Sequence, residues 1–225
     1  QGFGSFDNII SNSLPDLSTY HSAFIFLGVH PDNYELSQDD ADEISTILER
    51  GGSIYLEGGD TWVFNQSTNL HQYFKIEGIS DGLSDLSYVI GADNTFTESM
   101  TFDYTGNSSW IDRIEPIGSA QALLYNMNPT YITAVIYEDV SGYKTIGASH
   151  ELSGLEGEFF DQYLDGIISF FDFESQSICS LGDLNNDTMI NILDIVRLVG
   201  IVLGNGEQES VIELCASDLN NDLML

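Results

Sequence analysis

Ser22-Ala23-Phe24-Ile25-Phe26-Leu27-Gly28, the stretch from Ser37 to Arg50, and Ser53-Ile54-Tyr55-Leu56 running into Glu57-Gly58-Gly59-Asp60 decide how this chain is read. The first run is short, apolar and closed by glycine, as a strand buried on both faces is. Ser37 then reads as a helix cap followed by early acids. Ala41, Ile44, Ile47 and Leu48 recur at helical spacing until Gly51 and Gly52 stop the helix. Strand, helix and strand with short connections make a right-handed βαβ unit.

Further strands are predicted at Ser87 to Ile90, Met100 to Tyr104, Ala122 to Tyr125, Ile132 to Tyr137 and Tyr143 to Ala148. The last two read as a hairpin turning through Glu138-Asp139-Val140-Ser141-Gly142. From Glu158 to Phe171, Phe159, Phe160, Tyr163, Leu164, Ile167, Ile168 and Phe171 make a closing helix that packs on the sheet. The expected class is α/β over residues 1–172, then a polar linker at 173–180 and a small all-α module at 181–225.

Composition bounds the partners. Of 225 residues, 42% are apolar, enough for a buried core. Against 36 Asp and Glu stand five Lys and Arg, a formal charge of -31. Phosphate backbones and anionic headgroups repel such a chain, so nucleic acid and membranes are poor partners, whereas divalent cations are good ones. No apolar run is long enough for a membrane span. Gln1 in place of Met is expected of a chain whose signal peptide or upstream segment has been removed, which gives a secreted, extracellular or cell-surface location.

The tail carries the most specific spacing. Asp183, Asn185, Asp187, Asn191 and Asp194 stand at positions 1, 3, 5, 9 and 12 of a loop, with the Met189 carbonyl at position 7. Calcium takes six to eight hard oxygen ligands, and this alternation turns them inward. The helix that follows is apolar on almost every side, from Ile192 to Val202, and so needs covering on more than one side. The phrase returns as Asp218-Leu-Asn220-Asn-Asp222 and then breaks off at Leu225. Cys179 and Cys215 each precede one copy, so a disulfide between the copies is a candidate in an oxidising compartment.

A tandem of two such loops, each followed by a helix, is the dockerin pattern, and the tail resembles it up to the break at Leu225. The resemblance covers 179–225 and implies a calcium-folded module that binds a cohesin-like receptor or a neighbouring protein module. Position 6, usually Gly, is Thr188 in one copy and Leu223 in the other, which costs about 1 kcal/mol if the turn is left-handed. The incomplete second copy leaves self-assembly open, with a neighbour's segment completing the module.

The stretch from Leu14 to Trp62, Ile111-Asp112-Arg113-Ile114-Glu115-Pro116 and Tyr143-Lys144-Thr145-Ile146-Gly147-Ala148-Ser149 resemble the flavodoxin-like, class I glutamine amidotransferase-like modules of bacterial secreted surface proteins. The resemblance spans residues 14–172 and implies a flavodoxin-like three-layer parallel sheet. Active amidotransferases place a Cys on the turn after a central strand and activate it with a His and an acid. Here that turn is Leu56-Glu57-Gly58-Gly59-Asp60, without Cys or Ser, while His150-Glu151 matches the histidine and acid. A catalytically silent domain in an extracellular scaffold or filament is the expected function.

The alternative is a secreted hydrolase of polysaccharide or peptide. It would use Glu57 and Asp60, at the end of a parallel strand where open α/β sheets bind ligands, or His150 and Glu151. His21, His30 and His71 fall in no metal-ligand spacing, and Trp62 and Trp110 read as packing residues. Asn65, Asn107 and Asn186 are glycosylation sequons.

Overall fold

The computed structural model describes residues 17, 20–171, 182–185, 187, 189–202 and 216–217. The chain divides at residue 172 into two compact units, and each is described by itself. In the larger unit the elements run β1 (Ser22–Phe26), α1 (Gln38–Glu49), β2 (Ser53–Glu57), α2 (His71–Phe74), β3 (Ile76–Ser84), β4 (Tyr88–Gly91) and β5 (Thr101–Tyr104). They continue with β6 (Trp110–Pro116), β7 (Gln121–Asn126), β8 (Tyr131–Glu138), β9 (Lys144–Ala148), β10 (Leu155–Glu156) and α3 (Phe160–Phe170).

The opening strand, helix and strand form as the spacing predicts. Ser37 Oγ accepts the Asp40 amide at 3.1 Å, satisfying one of the donors that a helix start leaves without an intrahelical partner. Gly51, at φ 79°, makes the left-handed exit that a side chain would strain. β1 then pairs parallel with β2 from Ser22↔Ser53 to Phe26↔Glu57.

Beyond this unit and the β8–β9 hairpin, which forms as read, the sheet departs from expectation. Its order is β1-β2-β9-β8-β7-β4-β5-β10, with β3 paired to β6 and β6 touching β8. Among the described residues only β1 with β2 and β2 with β9 are parallel. Every other pairing is antiparallel. The flavodoxin-like three-layer parallel sheet is therefore not the fold of this chain. The cause is in the connections. A parallel neighbour needs a crossover of a dozen or more residues, usually a helix. From Tyr88 to Ala148 no helix intervenes, and β7, β8 and β9 are joined by brief turns that can only return antiparallel.

Two cores lie on the two faces. Ile54 and Leu56 of β2 are buried with Ala41, Ile44, Ile47 and Leu48 of α1. Tyr55, between them, is buried with Tyr163 and Ile167 of α3. Coverage on both faces is why 53–57 reads as a continuous run without polar alternation. Truncating Ile44, which is fully buried, to Ala would cost about 2–5 kcal/mol.

In the smaller unit α4 (Ile192–Val202) follows the oxygen-rich loop. Leu184 and Ala216 are buried there, with Leu198 and Ile201 against them. Ile192, Leu193, Ile195, Val196 and Val199 are exposed.

Candidate functional site

The β2–β9 register sets Glu57 beside Ala148, so His150 and Glu151, just past β9, reach the edge where Glu57 stands. Glu57 is 5% exposed, and its Oε2 accepts from the Tyr55 hydroxyl at 3.0 Å and the Leu152 amide at 2.7 Å. Among the described residues its Oε1 accepts no hydrogen bond. Burial pushes this carboxyl up to about 7, and the Glu151 charge adds to the rise. The Leu152 amide and the Tyr55 hydroxyl oppose it, favouring the charged form. Glu57 thus holds its proton close to neutral pH.

Glu151 is held differently. Its Oε2 accepts from the Tyr104 hydroxyl at 3.0 Å, the Ser108 amide at 3.3 Å and the Asn107 amide. Its Oε1 accepts Asn107 Nδ2 at 2.9 Å. His150 is fully buried, with Nδ1 3.2 Å from the Thr133 carbonyl oxygen and Nε2 without a hydrogen-bond partner. Burial pushes it down to about 4, so the ring is neutral near pH 7. Although adjacent in sequence, His150 and Glu151 do not hydrogen-bond to each other: one faces β8 and the other the loop at 104–108.

Asp60, which the sequence places with Glu57, belongs to another group. It meets Asp81 of β3 and Asp112 of β6, one carboxylate oxygen from each lying within 4.8 Å of the others. Asp112 is completely buried, and its Oδ2 accepts the Trp62 amide at 2.8 Å and the Val63 amide at 2.7 Å. Burial is the main force raising Asp112 to about 6, opposed by those amides, while the Asp60 charge adds to it. Asp60 is raised by burial and by Asp81, with His30 acting the other way.

Asp81 and Asp112 were missed because neither stands in a recognisable spacing. One signal was available. Trp110, Asp112, Ile114 and Pro116 share a face of β6, so an acid sits beside the core residue Ile114.

Other candidates are structural. His71 Nδ1 lies 3.0 Å from the Thr68 amide and Nε2 2.8 Å from the Thr61 carbonyl, while His21 and His30 are exposed. Trp62 Nε1 donates to the Ala148 carbonyl at 2.9 Å inside the core. Trp110 is half exposed and donates to Asp81 Oδ1 at 2.7 Å. A pocket lined by Glu35, Ser37, Gln38, Gln66 and Thr68 contains none of the candidate residues. Asn65 is half-buried, and the Asn107 amide is engaged by Glu151. Asn186, Cys179, Cys215, Asp218, Asn220 and Asp222 lie outside the described residues.

In the tail, side-chain oxygens curl the loop by accepting backbone amides. Asp183 Oδ1 accepts from Asp187, Asn185 Oδ1 from Asp187, and Asp187 Oδ1 from Met189. Asp194 closes it, taking the Asn185 amide at 3.2 Å and the Asn191 amide at 2.7 Å. The Asn191 amide holds Asp194 below the usual carboxylate range. Asn191 Nδ2 donates to the Met189 carbonyl at 3.0 Å.

No family model matches the chain, and no curated protein matches it in sequence. Among solved structures it is similar to an exo-β-1,4-mannosidase, Op5Man5, from Opitutaceae bacterium strain TAV5, at 18% identity and a TM-score of 0.45. That likeness covers 68% of this chain and 24% of the mannosidase. A cold-adapted β-galactosidase from Rahnella sp. R3 is similar at 13% identity and a TM-score of 0.47, over 69% of this chain and 23% of the enzyme. The IFT52 N-terminal domain is similar at 12% identity and a TM-score of 0.44, over 66% of this chain and 76% of that domain.

The chain thus spans about a quarter of the length of the two glycosidases. Both resemblances drawn from sequence, and the EF-hand-like description of the tail with them, fall. The larger unit has antiparallel strands where the family has parallel ones, and the tail finds no family model.

Proposed function

We propose that the larger unit is a carboxylate-dependent hydrolase acting on glycosidic bonds, with Glu57 as proton donor and Glu151 as the second carboxylate. The observation that supports it is Glu57, a carboxyl raised to about 7, at the C-terminal edge of parallel strands, with one oxygen unclaimed by the described residues. A general acid works best with a pKa near the operating pH, and burial is the usual way to raise a glutamic acid. Glycosidases place two carboxyl groups about the scissile bond. The mannosidase and β-galactosidase among the similar structures name the substrates to try first, mannosides and galactosides.

The test is turnover by the purified chain on a panel of aryl glycosides and polysaccharides. Glu57→Gln keeps an oxygen for Tyr55 and Leu152, so the variant remains folded and loses turnover by about 100-fold or more. Equal turnover by the variant, or none by the parent chain on any member of the panel, overturns the hydrolase. A catalytically silent domain is the second reading, favoured by the donors that saturate Glu151. Absence of turnover selects it.

For the smaller unit we propose calcium as the ligand of the loop 183–194. Asp183 and Asp194, its first and last acids, are 1% and 2% exposed, as inward-turned ligands would be. Calorimetric titration of the chain with calcium should show uptake that Asp194→Ala abolishes. Identical uptake by the variant would refute it.

A further inference from the structure

We propose that Asp60, Asp81 and Asp112 form a binding site for a hard divalent cation of calcium's size, at the C-terminal end of β2. The turn after β2 and the paired strands β3 and β6 build it. Gly58 and Gly59 turn the chain after β2 to present Asp60, and the Asp112 amide donates to the Gly59 carbonyl at 2.7 Å, fixing β6 against that turn. Asp81 and Asp112 are direct cross-strand partners in the β3–β6 pair. Like charges directly opposite on neighbouring strands are destabilising, and among the described residues no salt bridge engages either of these two. Arg113, the next residue, pairs instead with Asp85 at 2.6 Å.

The acids also leave oxygens bare. Asp112 Oδ1 is buried and has no hydrogen-bond partner, while Oδ2 of the same carboxylate is fully occupied by backbone amides. Among the described residues neither oxygen of Asp60, which is 7% exposed, accepts a hydrogen bond. Asp81 gives Oδ1 to Trp110 and keeps Oδ2. A buried polar atom left without a partner costs free energy, and a buried carboxylate left unpaired costs more. Calcium binds oxygens at about 2.3–2.6 Å, so ligands on opposite sides of it stand about 4.6–5.2 Å apart. The mutual spread of the three oxygens, 4.8 Å or less, fits within one such shell. Oxygen donors alone, with no sulfur or imidazole, select calcium, magnesium or manganese over softer metals. Exposed Asp81 marks the side from which an ion enters and where water completes its coordination.

The chain's two tryptophans both adjoin this cluster, Trp62 through its amide on Asp112 and Trp110 through its indole on Asp81. They make a reporter that the tail lacks. Terbium(III), a luminescent substitute for calcium, is titrated into the full chain while tryptophan alone is excited. The expected result is saturable sensitised emission that calcium displaces. Asp81→Asn, at an exposed position and still able to accept the Trp110 bond, weakens the apparent affinity about tenfold or more. Asp60→Asn does the same, and Asp161→Asn, at an exposed position of α3, leaves it unchanged. Circular dichroism verifies that each variant is folded. No emission from the full chain, emission unchanged in either of the first two variants, or emission lost in Asp161→Asn overturns the site.

Discussion

Two groups of buried carboxylates lie at neighbouring places in the larger unit, and they differ in what surrounds their oxygens. At the Glu57 edge almost every oxygen has a donor: a hydroxyl and an amide for Glu57, and four hydrogen bonds for Glu151. In the aspartate cluster Asp112 Oδ1 has none, and Asp60 has none among the described residues. Burial alone does not separate them, since Glu57 and Asp60 are 5% and 7% exposed. Donors built into the chain fix a carboxylate in place. Their absence leaves charge that something from outside must balance.

The largest expected effect breaks the first group. Glu151→Ala strands the Asn107 side chain and two amides, while the Tyr104 hydroxyl keeps the Ser108 carbonyl, and should destabilise the unit by about 3 kcal/mol in urea unfolding. A loss below about 1 kcal/mol would show that the network is ornamental to stability.

Next comes pH. Glu57 rises from 4.5 to about 7 on folding, so its protonated form is favoured and its contribution is lost as pH climbs through that interval. His150 falls from 6.5 to about 4, so its contribution is lost as pH drops through that interval. The two slopes oppose each other, and each amounts to about 3 kcal/mol. Glu57→Gln should therefore tilt the profile toward the His150 slope, with stability falling as pH drops from 6.5 to about 6, below which Asp112, itself raised to about 6, opposes the fall. His150→Gln should expose the reverse, stability falling as pH rises from 4.5 to 7. Flat profiles for both variants would contradict the assignment.

Asp60→Asn sharpens the contrast with a smaller change of opposite sign. Without divalent ions it should stabilise the unit by about 0.5–1 kcal/mol, because repulsion from Asp81 and Asp112 is relieved. Adding calcium should raise the melting temperature of the larger unit in the parent chain, and raise it less in the variant. Smallest of all, Trp110→Phe removes one half-exposed hydrogen bond and should change stability by less than about 0.5 kcal/mol.

The sequence made some of this legible. Ser37, the acids after it and the period of Ala41, Ile44 and Ile47 announce α1, because capping and amphipathicity are local properties. Of the antiparallel part, the β8–β9 hairpin turning through 138–142 was legible, and the rest was not. β3 carries Gly78 and Gly82, and its register shifts between Gly78 and Ser80 and again between Asp81 and Ser84, which erases the alternation by which strands are recognised.

Among the candidate residues, Glu57, His150 and Glu151 were found individually, though their partners were not. Asp60 was found with the wrong partner. Three residues of separation suggested Glu57, yet the glycine turn carries Asp60 to β3 and β6, far along the chain. Asp81 and Asp112 meet only through strand register, a relation that no local window contains.

β2 lies between β1, which precedes it closely, and β9, whose Lys144 pairs with Ser53. During synthesis the first parallel pair leaves the ribosome long before its other neighbour exists, holding an unmatched row of backbone amides and carbonyls. Contacts so distant in sequence slow folding, and an open edge of this kind invites pairing with foreign strands. Expression at low temperature, or with a chaperone that shields strand edges, should raise the yield of soluble chain.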